Sequence, residues 1–257
     1  MSVQLGHVVS GADNSAQTVV LLGSLGSTSA MWDPQRQALS DDGFRVVALD
    51  LRGHGTSPRP PGPYSVAELA DDVISTLNSL GVNTFHVVGL SLGGAVAQQL
   101  AISYPARITT VALLCTAAKF GEPDGWFDRA ATVRAQGTAA IADAVVARWF
   151  TMDLAGRDTL LVQAALDMVT GTDDEGYAAC CEALAHWDSR EHLAAITAPT
   201  LAIAGAQDPS TPPATLQVLA DGIGGSRLEI LEPGAHLVNL EQPAAVSTLL
   251  RDHILQS

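Results

Sequence analysis

The stretch Val87-Val88-Gly89-Leu90-Ser91-Leu92-Gly93-Gly94-Ala95-Val96-Ala97 constrains this chain more than any other. An apolar run enters a Gly-x-Ser-x-Gly turn and leaves as a helix of small residues. A serine hydroxyl held clear at the end of a strand needs a tight strand-to-helix reversal, and Gly89 and Gly93 remove the side chains that would collide there. The helix that follows points its N-terminal N–H groups at whatever the serine attacks. Gly94, Ala95 and Ala97 let that helix lie close to a sheet. The five-residue pattern alone also fits an ordinary Gly/Ser turn. The strand before it and the helix after it favour the nucleophile reading.

A sheet must surround that strand, and the sequence supplies one. Apolar, β-rich runs recur at 18–22, 45–49, 85–89, 109–114, 200–204 and 227–231, several nearly continuous as buried parallel strands are. Helical stretches separate most of them; in one, Val66, Leu69, Ala70, Val73, Ile74 and Leu77 share a face, and Gly81 follows as a stop. The alternation predicts an α/β fold with a mostly parallel, doubly wound sheet. Between about 118 and 195 the pattern changes to alanine-rich helical segments, expected at 126–135, 139–150, 158–169 and 174–184. No Pro/Gly/Ser linker flanks this block, so it reads as a helical cap inserted into one domain: 1–117 and 196–257 form the core, 118–195 the cap.

With 257 residues such a core needs no staples. The three cysteines, Cys115, Cys180 and Cys181, are too few and badly spaced for a zinc site and read as buried thiols of a reducing compartment. The N-terminus lacks a basic, apolar leader and no run of eighteen apolar residues follows, which predicts a cytoplasmic, soluble protein. A net charge of −14, spread along the chain, argues against nucleic-acid and membrane partners. The oligomeric state is not legible.

A serine hydroxyl is a poor nucleophile until an imidazole takes its proton, and the imidazole needs an acid to set its tautomer. Of seven histidines, His236 sits in Pro233-Gly234-Ala235-His236, directly after the last predicted strand, where side chains converge on a ligand. His54, in Arg52-Gly53-His54-Gly55, either lines the site or braces its loop. Asp208 follows another strand in Gly205-Ala206-Gln207-Asp208-Pro209, a place where an aspartate also serves as a plain turn former. The order Ser91, Asp208, His236 is nevertheless the nucleophile, acid, base order of one fold. For the oxyanion, the Leu92 N–H follows the nucleophile, and Leu25 N–H in Gly23-Ser24-Leu25-Gly26 is the candidate second donor. The bland alternative is a Gly-rich loop without catalytic duty.

From about Val19 onward, these residues together resemble an α/β-hydrolase. Several segments narrow the resemblance: Ser29-Ala30-Met31-Trp32-Asp33-Pro34-Gln35, Pro61-Gly62-Pro63-Tyr64, Thr116-Ala117-Ala118, Ile141-Ala142-Asp143-Ala144-Val145, Arg148-Trp149-Phe150 and above all Asp174-Glu175-Gly176-Tyr177-Ala178-Ala179-Cys180-Cys181. They are similar to the 3-oxoadipate enol-lactonases of aromatic degradation. The resemblance implies hydrolysis of a small anionic lactone to 3-oxoadipate, with no metal or organic cofactor. The chain departs by having Gly23-Ser24 where many α/β-hydrolases have His-Gly, and Leu92 where Met is common; neither change removes a backbone donor. Some relatives carry a fused decarboxylase module, which is not expected here.

An anionic substrate in a protein of charge −14 requires a local cation. With Lys119 the single lysine, Arg129, Arg134 and Arg148 are the candidates in the cap, against the alternative that each is an exposed helix-face charge. Arg129 lies one turn after Trp126 and shares its face. Trp126, Trp149 and Trp187 are candidate pocket walls or cap core, Trp149 foremost. Two rivals use the same residues: a broad carboxylesterase or cofactor-free perhydrolase behind a different cap, and a non-catalytic small-molecule receptor on the same fold.

Overall fold

A computed structural model describes residues 2–12 and 17–256; Met1 and Ser257, where the two predicted core segments begin and end, lie outside the described residues. The sheet has seven strands: β1 (His7–Ser10), β2 (Thr18–Leu22), β3 (Arg45–Leu49), β4 (Phe85–Leu90), β5 (Ile108–Leu114), β6 (Thr200–Gly205) and β7 (Arg227–Leu231). Their order is β1-β3-β2-β4-β5-β6-β7, with β1 antiparallel to β3 and every other pair parallel. Alternation along each central strand divides the core in two. Val20, Leu22, Val47, Leu49, Val87, Val111 and Leu113 face one apolar layer, while Val19, Leu21, Val46, Ala48, Val88, Ala112 and Leu114 face the other. Burial on both faces explains why these strands read as unbroken apolar runs. Strand β1 has no such run. Val8 and Val9 are both exposed at the sheet edge, so the sequence lacks a signal there.

Around the sheet lie α1 (Asp33–Asp41), α2 (Val66–Ser79), α3 (Leu92–Ser103), α9 (Pro213–Gly222), α10 (Val238–Glu241) and α11 (Pro243–Leu255). Helix α2 buries the six residues of its predicted face. It starts at a capping box in which Ser65 and Glu68 satisfy each other's backbone N–H groups. It also buries two polar residues. Asp72 holds Arg52 through two bonds of 2.7 and 2.8 Å and takes the Val3 N–H, while Thr76 takes the Leu5 N–H.

Between β5 and β6 run α4 (Pro123–Gln136), α5 (Ala142–Val146), α6 (Met152–Arg157), α7 (Thr159–Thr170) and α8 (Asp174–Ala185). The helix expected over 139–150 is interrupted. A 3-10 turn at Thr138–Ala140 precedes α5, which stops at Val146. Two tertiary bonds account for this: the Asp174 carboxylate takes the Thr138 N–H, and the Trp149 carbonyl accepts the N–H of Leu237 beside His236. The two ends of the block meet where Lys119 and Asp188 form an antiparallel bridge. All three cysteines are unpaired and buried. Among the described residues no helix is long and apolar enough to cross a membrane.

Candidate active site

Ser91 sits between β4 and α3 with φ 56° and ψ −115°, a strained backbone that costs on the order of 1–3 kcal/mol. The surroundings hold it there. Its N–H donates to the Leu114 carbonyl at 3.0 Å, and its carbonyl accepts from Thr116 Oγ1 at 2.7 Å. The glycine requirement is steric: a Cβ on Gly93 would stand 2.2 Å from the Leu22 carbonyl oxygen, and one on Gly89 2.1 Å from that of Gly93. The elbow therefore nests α3 against β2.

His236 and Asp208 come together from the loops after β7 and β6, with Nδ1 of His236 2.8 Å from Oδ2 of Asp208. Thr211 closes the pair: its hydroxyl donates to Asp208 Oδ2 at 2.6 Å, and its N–H reaches Asp208 Oδ1 at 3.1 Å. The Ser210 N–H adds a third donor at 2.8 Å. Burial by itself would raise the Asp208 carboxyl, but His236 and these donors outweigh it and hold the group below the ordinary aspartate value. With Nδ1 committed to the aspartate, the other ring nitrogen of His236 is left for the cavity that it and Ser91 both line. Among the described residues no hydrogen bond joins the Ser91 hydroxyl to that ring. The equivalent place after β5 holds Cys115, a buried thiol 3.6 Å from the Ala235 carbonyl, and offers no carboxylate.

Leu25 lines the same cavity from the loop after β2. Among the described residues neither Leu25 N–H nor Leu92 N–H has a protein acceptor; Leu92 is the first residue of α3, where helical bonding leaves the N–H unused. The structure decides between the two readings of His54. Its ring is buried under the loop, Nε2 accepts the Gly26 N–H at 2.9 Å, and Nδ1 lies 3.1 Å from the Arg52 carbonyl. It braces the loop.

The cavity, about 60 Å³, lies between these strand ends and the helical block. Trp126, Arg129, Arg148 and Trp149 line it; Arg134 and Trp187 do not. Arg134 is tied instead to Glu175 and Glu182, at 2.8 and 2.5 Å, because two carboxylates two turns apart on one face of α8 hold its guanidinium from both sides. Trp187 borders a separate surface hollow with His186 and His192. Arg129 stacks on Trp126, 4.8 Å from the ring centroid, as their shared face requires. Among the described residues neither Arg129 nor Arg148 forms an ion pair, so the cavity has two guanidinium groups without a carboxylate.

Sequence reasoning assigned no role to Tyr177, although it lies in the quoted 174–181 segment. Its ring packs on Gly26, where a Cβ would stand 2.9 Å from Cε2, and its buried hydroxyl has no protein hydrogen-bond partner. Burial drives its pKa up, and Arg129 partly opposes that rise. Thr211 was missed as well, since a hydroxyl three residues past an aspartate carries no distinctive pattern.

Strand order, elbow and the three strand-end side chains define a hydrolase scaffold, and the chain belongs to the α/β-hydrolase family: the alpha/beta hydrolase fold family matches residues 17–243. Its relatives include 3-oxoadipate enol-lactonase 2 of Acinetobacter baylyi, 42% identical over 88% of this chain and 84% of the relative. The crystal structure of the enol-lactonase from Burkholderia xenovorans LB400 superposes with a TM-score of 0.95 at 38% identity, covering 98% of this chain and 96% of that one. A putative carbamate hydrolase, RutD, of Variovorax paradoxus is 34% identical over 93% of this chain and 91% of its own length. The protein is a hydrolase similar to enol-lactonases.

Proposed function

We propose that this hydrolase opens a small anionic enol-lactone, 3-oxoadipate enol-lactone or a close analogue, using Ser91 as nucleophile, His236 as base and Asp208 as its orienting acid. The observation that carries this reading is the pair Arg129 and Arg148, two guanidinium groups without carboxylate partners facing the same small cavity as Ser91. In a protein of charge −14, two cations without carboxylate partners, half-buried Arg129 and exposed Arg148, beside a nucleophile favour an anionic ligand. Similarity to the two enol-lactonases supports the same substrate class.

In this mechanism the Ser91 hydroxyl attacks the lactone carbonyl while His236 Nε2 takes its proton. Leu25 N–H and Leu92 N–H receive the oxyanion, each donor contributing roughly 3 kcal/mol to the transition state. The ring C–O bond breaks and expels an enolate oxygen, a better leaving group than an alkoxide, so His236 need return its proton only late. The enol tautomerises to the ketone. Water, deprotonated by His236, then hydrolyses the acyl-serine and regenerates Ser91. The absence of a Ser91–His236 hydrogen bond is compatible with this, since such contacts commonly tighten only with substrate bound. Residues 118–195 act as the cap, with Trp126 and Trp149 as walls.

The test is turnover of 3-oxoadipate enol-lactone, followed by loss of ring absorbance, against p-nitrophenyl acetate and a small carbamate. A kcat/KM for the lactone at least a hundredfold above both is expected. Equal or better turnover of the neutral ester makes the protein a general esterase. Preference for the carbamate would follow the RutD relative instead.

A further inference from the structure

We propose that His54 is a positioning residue for the oxyanion loop: as the neutral tautomer protonated on Nδ1, it accepts the Gly26 N–H and keeps the neighbouring Leu25 N–H aimed into the cavity. The proposal rests on the reading of Leu25 as an oxyanion donor and explains how that donor is held.

Two consecutive peptide planes are pinned. In the first, the Ser24 carbonyl accepts from the N–H and hydroxyl of Ser27, at 3.1 and 2.7 Å. Because a trans peptide points its C=O and N–H in opposite directions, this turns the Leu25 N–H away from Ser27. In the second, Gly26 N–H donates to His54 Nε2 at 2.9 Å, so the chain cannot rotate about Leu25. Gly26 itself has φ +79° and packs under the Tyr177 ring, where a Cβ would stand 2.9 Å from Cε2. Losing the second anchor frees the Leu25–Gly26 peptide to turn and leaves the Leu25 N–H held through the Ser24 carbonyl alone.

The tautomer follows from the partners. A backbone carbonyl only accepts, so the Arg52 carbonyl, 3.1 Å from Nδ1, requires a proton on Nδ1. A backbone N–H only donates, so Gly26 requires Nε2 bare. An imidazolium would set two N–H groups against each other. Burial also disfavours the charged ring and lowers its pKa, against the pull of the Arg52 carbonyl and of Asp50. The titratable groups that face it are Asp50 on its own loop, whose carboxylate already accepts the Ser29 and Thr56 N–H groups, and Cys180 on α8, whose thiol shares the Arg52 carbonyl. Arg52 is rigid because its guanidinium is buried against Asp72. The histidine is thus anchored to a buried ion pair at one end and to the oxyanion loop at the other.

An oxyanion donor acts in the transition state, so its displacement should appear in kcat and leave ground-state binding intact. His54→Gln places an amide oxygen where Nε2 stood; His54→Asn is one methylene too short to reach Gly26. On lactone and p-nitrophenyl acetate alike, His54→Asn and His54→Leu should lose about ten- to a hundredfold in kcat with KM within threefold, and His54→Gln should recover most of the loss. Phenylboronic acid, which forms a tetrahedral adduct on a serine, should weaken in parallel. Independently of activity, imidazole 15N shifts should show the Nδ1–H tautomer at pH 7, with the Gly26 amide protected from exchange. Wild-type kcat in both His54→Asn and His54→Leu, a loss carried by KM, no recovery in His54→Gln, or a proton on Nε2 overturns the proposal. Retention of turnover by Ser91→Ala would overturn the serine-hydrolase reading instead, and the tautomer and exchange measurements still decide the role of His54.

Discussion

Gly53 and Gly176 face each other where the loop after β3 meets the first turn of α8: a Cβ on either would stand 2.5 Å from the Cα of the other. This backbone-to-backbone contact seats α8 so that Tyr177, the next residue, reaches the cavity. Gly176→Ala should therefore push α8 outward, costing roughly 1–3 kcal/mol and raising KM more than it lowers kcat. Gly125, also in a helix but with open space around it, is the control. Gly125→Ala should stabilise by up to about 1 kcal/mol. Equal melting temperatures for the two variants would show that the contact does not constrain α8.

Ser91→Ala and His236→Ala should each remove almost all turnover, and Asp208→Asn roughly four orders of magnitude, with thermal unfolding midpoints within a few degrees of the parent. Thr211→Val removes only the hydroxyl that braces Asp208 and should cost about tenfold. If Asp208→Asn keeps near-parental kcat, another carboxylate orients His236.

Arg129→Ala and Arg148→Ala should raise KM for the anionic lactone by about ten- to a hundredfold each, the equivalent of roughly 1.5–3 kcal/mol, and leave a neutral ester nearly unaffected. Arg134→Ala should change neither KM, because that guanidinium already holds Glu175 and Glu182 outside the cavity. Its ion pairs are partly exposed and screened, so the stability loss should stay under about 1 kcal/mol. An unchanged anion preference in both cavity-arginine variants would mean that the natural substrate is uncharged.

Buried histidines should make the fold acid-sensitive. His86, hydrogen-bonded to Thr110, is pushed down to about 4 by burial and by nearby His253. Burial lowers His253 and His54 too. Since the unfolded chain takes up these protons near pH 6.5 and the folded one only further down, the unfolded state binds more protons in between. Stability should then fall as pH drops from about 6.5, and the His86 share of the loss should level off below about 4. Melting temperatures of His86→Gln across that window should decline less steeply than those of the parent; an identical slope would assign the acid sensitivity to groups other than His86.

The strands and helices of the core are legible in the chain because burial on two faces, or on one helical face, writes a periodicity into the residues themselves. Ser91 is legible because only glycine fits against Leu22 and Gly93, so the steric demand appears as a motif. Strand β1 is not, since an exposed edge strand held by pairing to β3 buries no pattern of its own. The interruptions on either side of α5 are equally silent: the one at Thr138 depends on Asp174 and the one after Val146 on Leu237, both remote in sequence.

The cavity divides along the same line. Sequence alone determined which residues end strands, and hence that Ser91, Asp208 and His236 belong to one sheet edge. Only the tertiary structure decided that Arg129 and Arg148 face that edge while Arg134 turns out to Glu175 and Glu182, and that His54 holds Gly26 rather than lining the cavity. The physical reason is range. Backbone geometry and hydrophobic periodicity act over a few neighbouring residues and are encoded locally, whereas the direction of a long cationic side chain, or the partner of a buried imidazole, is set by groups that folding alone brings within 3 or 4 Å of it.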